Sequence, residues 1–434
     1  MTTTVDPLDA PLQRPLDRND YKTLTLAALG GALEFYDFVV FVFFATVLGT
    51  LFFPPEMPDW LRQLQTFGIF AAGYLARPLG GIVIAHFGDL LGRKRMFTLS
   101  IFLMALPTLA MGLLPTYASA GIAAPLLLLF FRILQGAAIG GEVPGAWVFV
   151  AEHVPSRHTG LAVGTLTAGL TFGILLGSLV ATVINSVYTP AEVASFAWRI
   201  PFLLGGVFGL FAVYLRRFLE ETPVFKELHA RQLLARELPL KHIIKHHLPA
   251  VVLSMLLTWV LSAAIVVVIL FTPSYLQKQL QVSLALSQQA NTLAIAMLTI
   301  GCVVFGVLAD RAGSKVALGI GCLGLLLTSY FFYGNAAGAT PEQLIGSYML
   351  AGFFVGTVGA VPYVLVRAYP AAIRFSGLSF SYNVAYALFG GLTPVMLTLW
   401  LKSDPLAPGH YVAALAMLGI VCALMPIPGT RGVR

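Results

Sequence analysis

Long apolar stretches separated by short polar joints recur along the whole chain. A helix that crosses the hydrocarbon core of a bilayer needs about 20 mostly apolar residues, and the pattern offers twelve such runs. They lie at 23–49, 63–86, 96–115, 126–150, 160–187, 199–216, 249–272, 287–309, 316–334, 343–366, 376–401 and 411–428. The pattern therefore predicts an all-α integral membrane protein with twelve transmembrane helices.

A polar stretch between the sixth and seventh runs divides the chain into two halves. This stretch, at 217–248, mixes Lys and Arg with four glutamates and is typical of a cytoplasmic linker. We therefore expect a tail at 1–22, a six-helix bundle at 23–216, a second bundle at 249–428 and a tail at 429–434. Histidines scattered along a loop are usually solvated, and the three cysteines lack the spacing of a zinc site, so no metal is expected.

Composition and charge both support a bilayer environment. The 434 residues are 58% apolar and 10% charged, with a mean hydropathy of +0.85. The net charge of +7 could indicate a nucleic-acid partner, but basic residues crowd the cytoplasmic side of membrane proteins. With the N-terminus inside, the predicted spans leave only Arg62, Arg199, Lys278 and Lys402 on the outer side. We therefore expect no nucleic-acid partner, a bacterial inner (plasma) membrane location and two cytoplasmic termini.

The two halves carry a similar motif at the joint after their second span. The sequence GDLLGRKR at 88–95 has its counterpart in GVLADRAGSK at 306–315. Internal duplication of six-helix units is found in many secondary transporters, whose substrate site lies between the repeats near the middle of the membrane. The repeat therefore favours a transporter with two related bundles.

Both joints resemble the signature loop G-x-x-x-D-R-x-G-R-[RK] of the major facilitator superfamily. In the first copy Ala85 replaces the leading glycine and Leu90 an arginine, and in the second Ser314 replaces an arginine. Segments 31–38, 77–81, 132–136, 140–142, 198–202 and 374–383 are similar to the metabolite:proton symporter branch of that family. Members of this branch move citrate and other di- and tricarboxylates, 2-oxoglutarate, shikimate, or proline and betaine. The resemblance implies two pseudo-symmetric bundles that work by alternating access.

Five ionisable residues lie at depth within the predicted spans, and all five are in the first half: Glu34, Asp37, Arg77, Arg132 and Glu142. A charge at the centre of the bilayer costs about 2.5–3.5 kcal/mol on insertion scales, so such residues are functional candidates. Glu34 and Asp37 share one helical face, and Arg132 and Glu142 lie within an arc of about 80°. The last six spans offer uncharged polar residues instead: Asn291, Thr357, Tyr363, Ser379, Tyr382 and Asn383.

These residue types support proton-coupled transport of an anionic group. A buried carboxylate can carry a proton, and a guanidinium can bind a carboxylate through two parallel hydrogen bonds. We predict that Glu34, Asp37 and Glu142 couple to protons and that Arg132 is the main substrate anchor. The predicted substrate-binding set also contains Gln135, Tyr36, Arg77, Asn383, Tyr382 and Tyr363. The alternative is structural: Glu34 or Asp37 could form a fixed helix contact, and Arg77 could stabilise a kink at Pro78.

Charged residues at the cytoplasmic joints are predicted to form a gate that opens and closes as the halves rock. The set is Asp89, Arg93, Glu152, Arg157, Asp310, Arg311, Arg367 and Arg374. Arg367 stands where related sequences usually carry glutamate, which inverts one charge of the second gate. We therefore expect Asp310 to pair directly with Arg367.

The motifs that are absent narrow the function further. The sequence contains no GxxxxGK[ST] loop for ATP, no nucleophile elbow and no HExxH, so we expect neither an enzyme nor an ATP-driven pump. We expect a monomer in membrane lipid that needs no cofactor and uses the proton gradient to symport a small metabolite, with a carboxylate favoured. The alternatives are a zwitterion symporter of the proline or betaine kind, an exporter or antiporter of a metabolite or siderophore-like compound, and a non-transporting sensor.

Overall fold

The computed structural model describes residues 14–91, 93–216, 218 and 240–426, except the side chains at 85–86, 88–95, 97–98, 216, 240–242 and 372. Ten helices in this part of the chain are long and apolar enough to cross a membrane. An eleventh span is a bent pair, Pro190–Ala197 with Arg199–Leu215, and a shorter apolar helix at Leu99–Leu113 supplies the twelfth. The predicted all-helical, twelve-span architecture is confirmed.

The spans are α1 (Arg18–Phe43), α2 (Asp59–Leu91), α3 (Arg93–Leu113), α4 (Ala123–His153), α5 (Thr159–Val187), α6 (Arg199–Arg216), α7 (Leu248–Lys278), α8 (Leu284–Ala312), α9 (Ser314–Asn335), α10 (Pro341–Arg367), α11 (Arg374–Trp400) and α12 (Ala407–Leu424). Short helices at Ala45–Phe52, Tyr117–Ala120 and Leu240–His246 lie between spans. Residues 1–13 of the predicted N-terminal tail, the whole predicted C-terminal tail at 429–434, and residues 217 and 219–239 of the predicted linker lie outside the described residues.

Local sequence explains where several helices begin. Asp17 caps α1 through a capping box with Asp20, so α1 starts at Arg18 and not at 23 as the apolar run suggested. Thr340 and Gln343 form a second capping box at α10, with Pro341 in the first turn. These short polar signals precede the apolar stretch, which is why hydropathy alone places the boundaries too late.

Besides the bent pair, which has a π segment at Val193–Ala197, three of the described spans contain a turn with irregular hydrogen bonding. A π-helical segment occupies Ala264–Phe271 in α7, a 3-10 segment occupies Gly356–Gly359 in α10, and a second π segment occupies Tyr386–Gly390 in α11. Short π segments within helices are rare and are frequent at functional sites. The segment in α11 directly follows Tyr382 and Asn383, two of the predicted substrate-binding residues.

The two bundles meet along two seams that are related by pseudo-symmetry. The second helix of each half packs against the fifth helix of the other, so α2 contacts α11 and α5 contacts α8. Close approach at the α5–α8 seam requires glycine, because a Cβ at Gly160 would lie 2.2 Å from the carbonyl oxygen of Gly306. The glycines of α5 therefore serve close packing, as small residues do in membrane helices.

The halves touch at both ends of the bundle. At the end where α1 begins and α12 finishes, which the charge pattern predicts to be cytoplasmic, Arg374 forms an ion pair with Glu152 across the halves, with a 3.3 Å separation. At the opposite end Gln63 hydrogen-bonds to Ser274 at 3.4 Å, and Lys278 donates to Gln63. The polar residues between these two contacts are therefore enclosed.

Candidate functional site

Arg77 lies at the centre of the α2–α11 seam. Its side chain is fully buried, and Nε donates to Oδ1 of Asn383 in the other half at 3.4 Å. The guanidinium carbon is 4.4 Å from the ring centre of Tyr386, 5.3 Å from that of Tyr382 and 5.4 Å from that of Tyr74. Arg77 is thus held in a cage of three tyrosine rings supplied by both halves.

The terminal nitrogens of Arg77 are unused. Neither Nη1 nor Nη2 has a hydrogen-bond partner among the described residues. A buried cation is strongly destabilising unless charges or acceptors compensate for its lost hydration, and the ring contacts compensate only in part. Two neighbouring N–H groups are the donor set that binds a carboxylate in a bidentate manner.

Backbone packing fixes the position of Arg77. A Cβ at Gly140 of α4 would lie 2.2 Å from the carbonyl oxygen of Arg77, so only glycine allows α4 to approach α2 this closely. Asn383 closes the same corner, because its amide donates to the Gly140 carbonyl at 2.5 Å and to the Ser379 carbonyl at 2.8 Å. The helices α2, α4 and α11 therefore converge on one site.

Arg132, the predicted main anchor, lies inside the first half. Its Nη1 donates to the Phe38 carbonyl at 3.0 Å and to Oε1 of Gln135 at 2.5 Å. The guanidinium carbon lies 4.0 Å from the ring centre of Phe38 and 4.7 Å from that of Phe41. Every one of these contacts comes from α1 or α4, and among the described residues Arg132 has no ion pair. The structure therefore brings Arg77, and not Arg132, into contact with the second half.

Asp37 lies within the first bundle, where α1 meets α3 and α6. It is fully buried, and neither carboxylate oxygen has a hydrogen-bond partner among the described residues. A Cβ at Gly205 of α6 would come within 2.6 Å of its Oδ1, so the carboxylate rests against the backbone of α6. The amide of Gln135 donates to the Asp37 carbonyl at 3.0 Å and to Thr108 at 2.8 Å, which connects this region to Arg132.

The other predicted residues are distributed over the molecule. Glu34 on α1 and Glu142 on α4 are each 2% exposed. The Tyr36 hydroxyl donates to the Pro201 carbonyl at 2.9 Å, so this side chain faces α6 and lies away from the seam. Tyr363 contacts Arg367 at the end of the bundle where α1 begins, and its hydroxyl receives a hydrogen bond of 2.5 Å from Arg367. The predicted substrate set is therefore split, with Arg77, Tyr382 and Asn383 together and Tyr36 and Tyr363 elsewhere.

The cytoplasmic gate differs from its prediction in one contact. Asp310 accepts hydrogen bonds of 2.7 Å from the backbone N–H groups of Gly160 and Leu161, and so caps the first turn of α5. Arg367 donates to the Ser156 carbonyl at 2.7 Å. The expected direct pair between Asp310 and Arg367 is not formed in this conformation, because both oxygens of Asp310 already bind a helix N-terminus.

The other described residues of the predicted gate, Arg157 and Arg311, are exposed. Arg157 donates to the neighbouring His158 at 3.1 Å, and Arg311 lies at the end of α8. The side chains of Asp89 and Arg93 lie outside the described residues. Within the described part of the chain, no group of three or more His, Cys, Asp or Glu residues could hold a metal ion.

Sequence reasoning missed Tyr74 and Tyr386. The two rings stack across the seam with centroids 5.3 Å apart and planes at 9°. A signal for both was present, because Tyr74 is three residues before Arg77 and Tyr386 is four residues after Tyr382. Residues with this spacing share a helical face with residues already selected.

Comparison with known proteins gives a consistent result. The sequence model of the Major Facilitator Superfamily matches residues 38–394. A Staphylococcus aureus protein provisionally named as a proline/betaine transporter is 35% identical over 409 residues, which cover 92% of this chain and 86% of that protein. The glycine betaine/proline/ectoine/pipecolic acid transporter OusA of Dickeya dadantii is 32% identical over 93% of this chain and 82% of its own. Among solved structures, the proton:xylose symporter XylE superposes with a TM-score of 0.77 at 18% identity, over 93% of this chain and 94% of that chain.

Proposed function

The chain belongs to the Major Facilitator Superfamily, and from this premise we propose that it is a proton-coupled symporter of a small zwitterionic metabolite with one carboxylate. The observation that carries the proposal is the buried Arg77, which has two unused terminal nitrogens at the seam between the halves. A carboxylate bound there contacts both halves at once through Arg77 and Asn383. Such a site is reached only when the halves separate at one end, as alternating access requires.

Charge favours a single carboxylate over a citrate-like substrate. Arg77 is the one guanidinium that the described residues place in the middle of the seam, because Arg132 contacts only the first half. A di- or tricarboxylate would bring charges that this cation alone does not neutralise. The names of the relatives in S. aureus and D. dadantii, which refer to proline and betaine, support the same choice. Both compounds are zwitterions with one carboxylate.

Asp37 is the carboxylate that we propose as the proton site. A buried carboxylate without hydrogen-bond or charge partners is better accommodated as the neutral acid than as the anion. Its position against α6 means that ionisation alters the packing of α1 on α6. The Gln135 side chain donates to the backbone carbonyl of Asp37 and accepts from Arg132, so these three residues are connected within the first half.

Uptake into proteoliposomes tests the proposal. We expect radiolabelled proline or trimethylglycine to accumulate when the outside is acidic, and an uncoupler to abolish the accumulation, whereas citrate and 2-oxoglutarate give little uptake. Arg77→Gln should abolish uptake, because a neutral amide does not pair with a carboxylate. Arg18→Gln, at an exposed position at the start of α1, is the matched control and should behave as wild type.

Three results would each contradict one part of the proposal. Accumulation that is insensitive to the uncoupler would exclude proton coupling. Normal uptake by the Arg77→Gln protein would exclude Arg77 as the carboxylate anchor. Preferential uptake of citrate would leave transport intact but would assign the substrate to the polycarboxylates.

A further inference from the structure

The tyrosine cage around Arg77 is built from both halves of the protein. Tyr74 comes from α2, and Tyr382 and Tyr386 come from α11. All three rings are buried, at 1%, 2% and 1% exposure. Tyr386 is central to the cage, because it stacks on Tyr74 and lies 5.2 Å from Tyr382 between ring centres.

Helix geometry makes the cage depend on closure of the seam. Tyr386 begins the π segment of α11, and a Cβ at Gly390 would lie 2.6 Å from its Cδ1. A Cβ at Gly391 would lie 2.9 Å from Cβ of Tyr74, so α2 and α11 are in close contact here. The three rings surround one point only while the two halves are together.

Arg77 is held in the cage mainly by ring faces. Its one hydrogen bond to a described residue, Asn383, is long at 3.4 Å, whereas three rings lie within 5.4 Å of the guanidinium carbon. The face of an aromatic ring attracts any weakly hydrated cation, and cages of this kind recognise quaternary ammonium groups. The cage is therefore a cation-binding surface as well as a support for Arg77.

A zwitterion has one group that suits Arg77, its carboxylate, and one that suits the tyrosine rings, its ammonium. Its carboxylate would pair with Nη1 and Nη2 of Arg77, which have no partner among the described residues. The guanidinium then has a charge partner and depends less on the rings. The ring faces can accept the ammonium of the same molecule, and the bound zwitterion adds no net charge to the buried site.

We propose that Tyr74, Tyr382 and Tyr386 bind the ammonium group of the zwitterionic substrate, and that this ammonium and the guanidinium of Arg77 compete for the same ring faces. The proposal rests on the proposed function, because it takes Arg77 as the carboxylate anchor. It assigns the three tyrosines the role of selecting a zwitterion over a carboxylate of equal shape that lacks the ammonium group.

A pair of matched ligands tests this role directly. Trimethylglycine and 3,3-dimethylbutanoate have the same shape and the same carboxylate, and they differ in a quaternary nitrogen against a quaternary carbon. Binding of each to the purified full-length protein is measured by isothermal titration calorimetry. We expect wild type to prefer trimethylglycine by about tenfold, the range of a partly desolvated cation–π contact.

Variants at Tyr386 test whether its ring is responsible for the preference for trimethylglycine. Tyr386→Leu should reduce the preference towards unity, whereas Tyr386→Phe should keep most of it because the ring face remains. Tyr330→Leu removes a ring that is 45% exposed on α9 and serves as the control. Each variant is compared with wild type by gel filtration, so that a misfolded protein is recognised.

The failures of the two proposals are distinguishable. Equal affinity of wild type for the two ligands would overturn the ammonium subsite and leave the Arg77 anchor standing. A Tyr386→Leu protein that elutes as wild type and keeps the full preference would also overturn the subsite. Absence of binding by both ligands and by other carboxylates would remove the proposed function itself.

Discussion

At the scale of single residues, the two buried arginines of the first half differ in what they contact. Each keeps two guanidinium nitrogens without a hydrogen-bond partner among the described residues, Nη1 and Nη2 in Arg77 and Nε and Nη2 in Arg132. Arg77, however, bonds to the second half, whereas Arg132 donates to Phe38 and Gln135 within its own half. Both are fully buried. Two arginines at similar depth therefore have different surroundings: Arg77 lies between the halves, and Arg132 lies among residues of the first half.

Lysine substitutions separate these roles. Lysine keeps the charge but lacks the planar pair of donors that binds a carboxylate. We expect Arg77→Lys to raise KM for uptake by about tenfold or more, since a hydrogen bond to a charged group contributes about 1.5–3 kcal/mol. Arg132→Lys should lower the maximal rate and leave KM within about twofold, because its contacts hold α1 against α4. Initial rates over a range of substrate concentrations give both constants, and the reverse pattern would restore Arg132 as the anchor.

If Asp37 is the proton site, its replacement should change how transport depends on pH. Asparagine has the shape of the neutral acid but does not bind or release a proton. We expect Asp37→Asn to lose accumulation driven by a pH gradient while it retains exchange of labelled for unlabelled substrate. Its exchange rate should not vary with pH over the range in which wild type varies. Glu56→Gln, at an exposed position between α1 and α2, is the control.

Parallel variants at the other two buried carboxylates decide the assignment. If Asp37→Asn accumulates substrate normally and Glu34→Gln or Glu142→Gln does not, the proton site belongs to that glutamate. The measurement is the steady-state ratio of internal to external substrate at a fixed pH difference.

At the scale of elements, one carboxylate of the second half caps a helix of the first. Asp310 binds the N–H groups of Gly160 and Leu161, so α8 and the start of α5 are joined at the end of the bundle where α1 begins. A helix N-terminus carries partial positive charge and unpaired N–H groups, which favours a carboxylate there. The contact is an electrostatic latch that rocking of the halves would break.

Removal of this cap should favour opening at the end of the bundle where α1 begins. We expect Asp310→Ala to destabilise the closed state by about 1 kcal/mol, the usual value of a helix cap, which raises the open population roughly fivefold. The measurement is the rate at which a cysteine introduced by Ser156→Cys reacts with a polar maleimide. The three native cysteines are buried, and a protein without Ser156→Cys gives their background. An unchanged rate would show that the cap does not restrain opening.

The double variant Asp310→Arg/Arg367→Asp tests whether these two residues pair directly. The contacts of Asp310 are to backbone N–H groups, and arginine has no acceptor to replace them. We therefore expect no rescue of uptake in the double variant. Rescue would show that Asp310 and Arg367 pair directly in another conformation of the transport cycle.

At the scale of the whole molecule, the seam between α5 and α8 changes character along its length. The part at the end where α1 begins is packed through Gly160 and Gly306, whereas the opposite part carries a hydroxyl pair, Ser178 with Thr292 at 2.7 Å. Alternating access requires these ends to separate in turn. The hydroxyl pair is weak enough to break and lies close enough to be cross-linked.

A disulfide at the hydroxyl pair should lock the transporter. Sulfur atoms placed at Ser178 and Thr292 would lie within reach of a bond of about 2.05 Å. We expect the Ser178→Cys/Thr292→Cys protein to lose uptake on oxidation and to recover it with a reductant. Each single cysteine variant is the control. Full uptake by the cross-linked protein would show that α5 and α8 do not separate at this depth.

The sequence by itself determined the number of spans, the division into halves and the set of costly buried charges. These properties follow from a local constraint, because each span must be apolar over the thickness of a bilayer. A charged residue inside such a span can therefore be recognised from the sequence of that span alone. Asp37 could be selected in this way without knowledge of its neighbours. Tyr74 and Tyr386 are not marked by burial of charge, and only their helical spacing from Arg77 and Tyr382 points to them.

Only the tertiary structure decided which charges and rings act together. Arg77 and Asn383 are 306 residues apart in the chain and meet because α2 packs on α11. The same packing separates Arg132 from the seam and gives Asp310 a helix end in place of Arg367. Hydrophobic pattern fixes which segments are buried in the bilayer, but the close contacts of glycines such as Gly140 fix which faces of those segments meet. The substrate site lies where such faces meet, and for that reason its members are set by packing between distant helices.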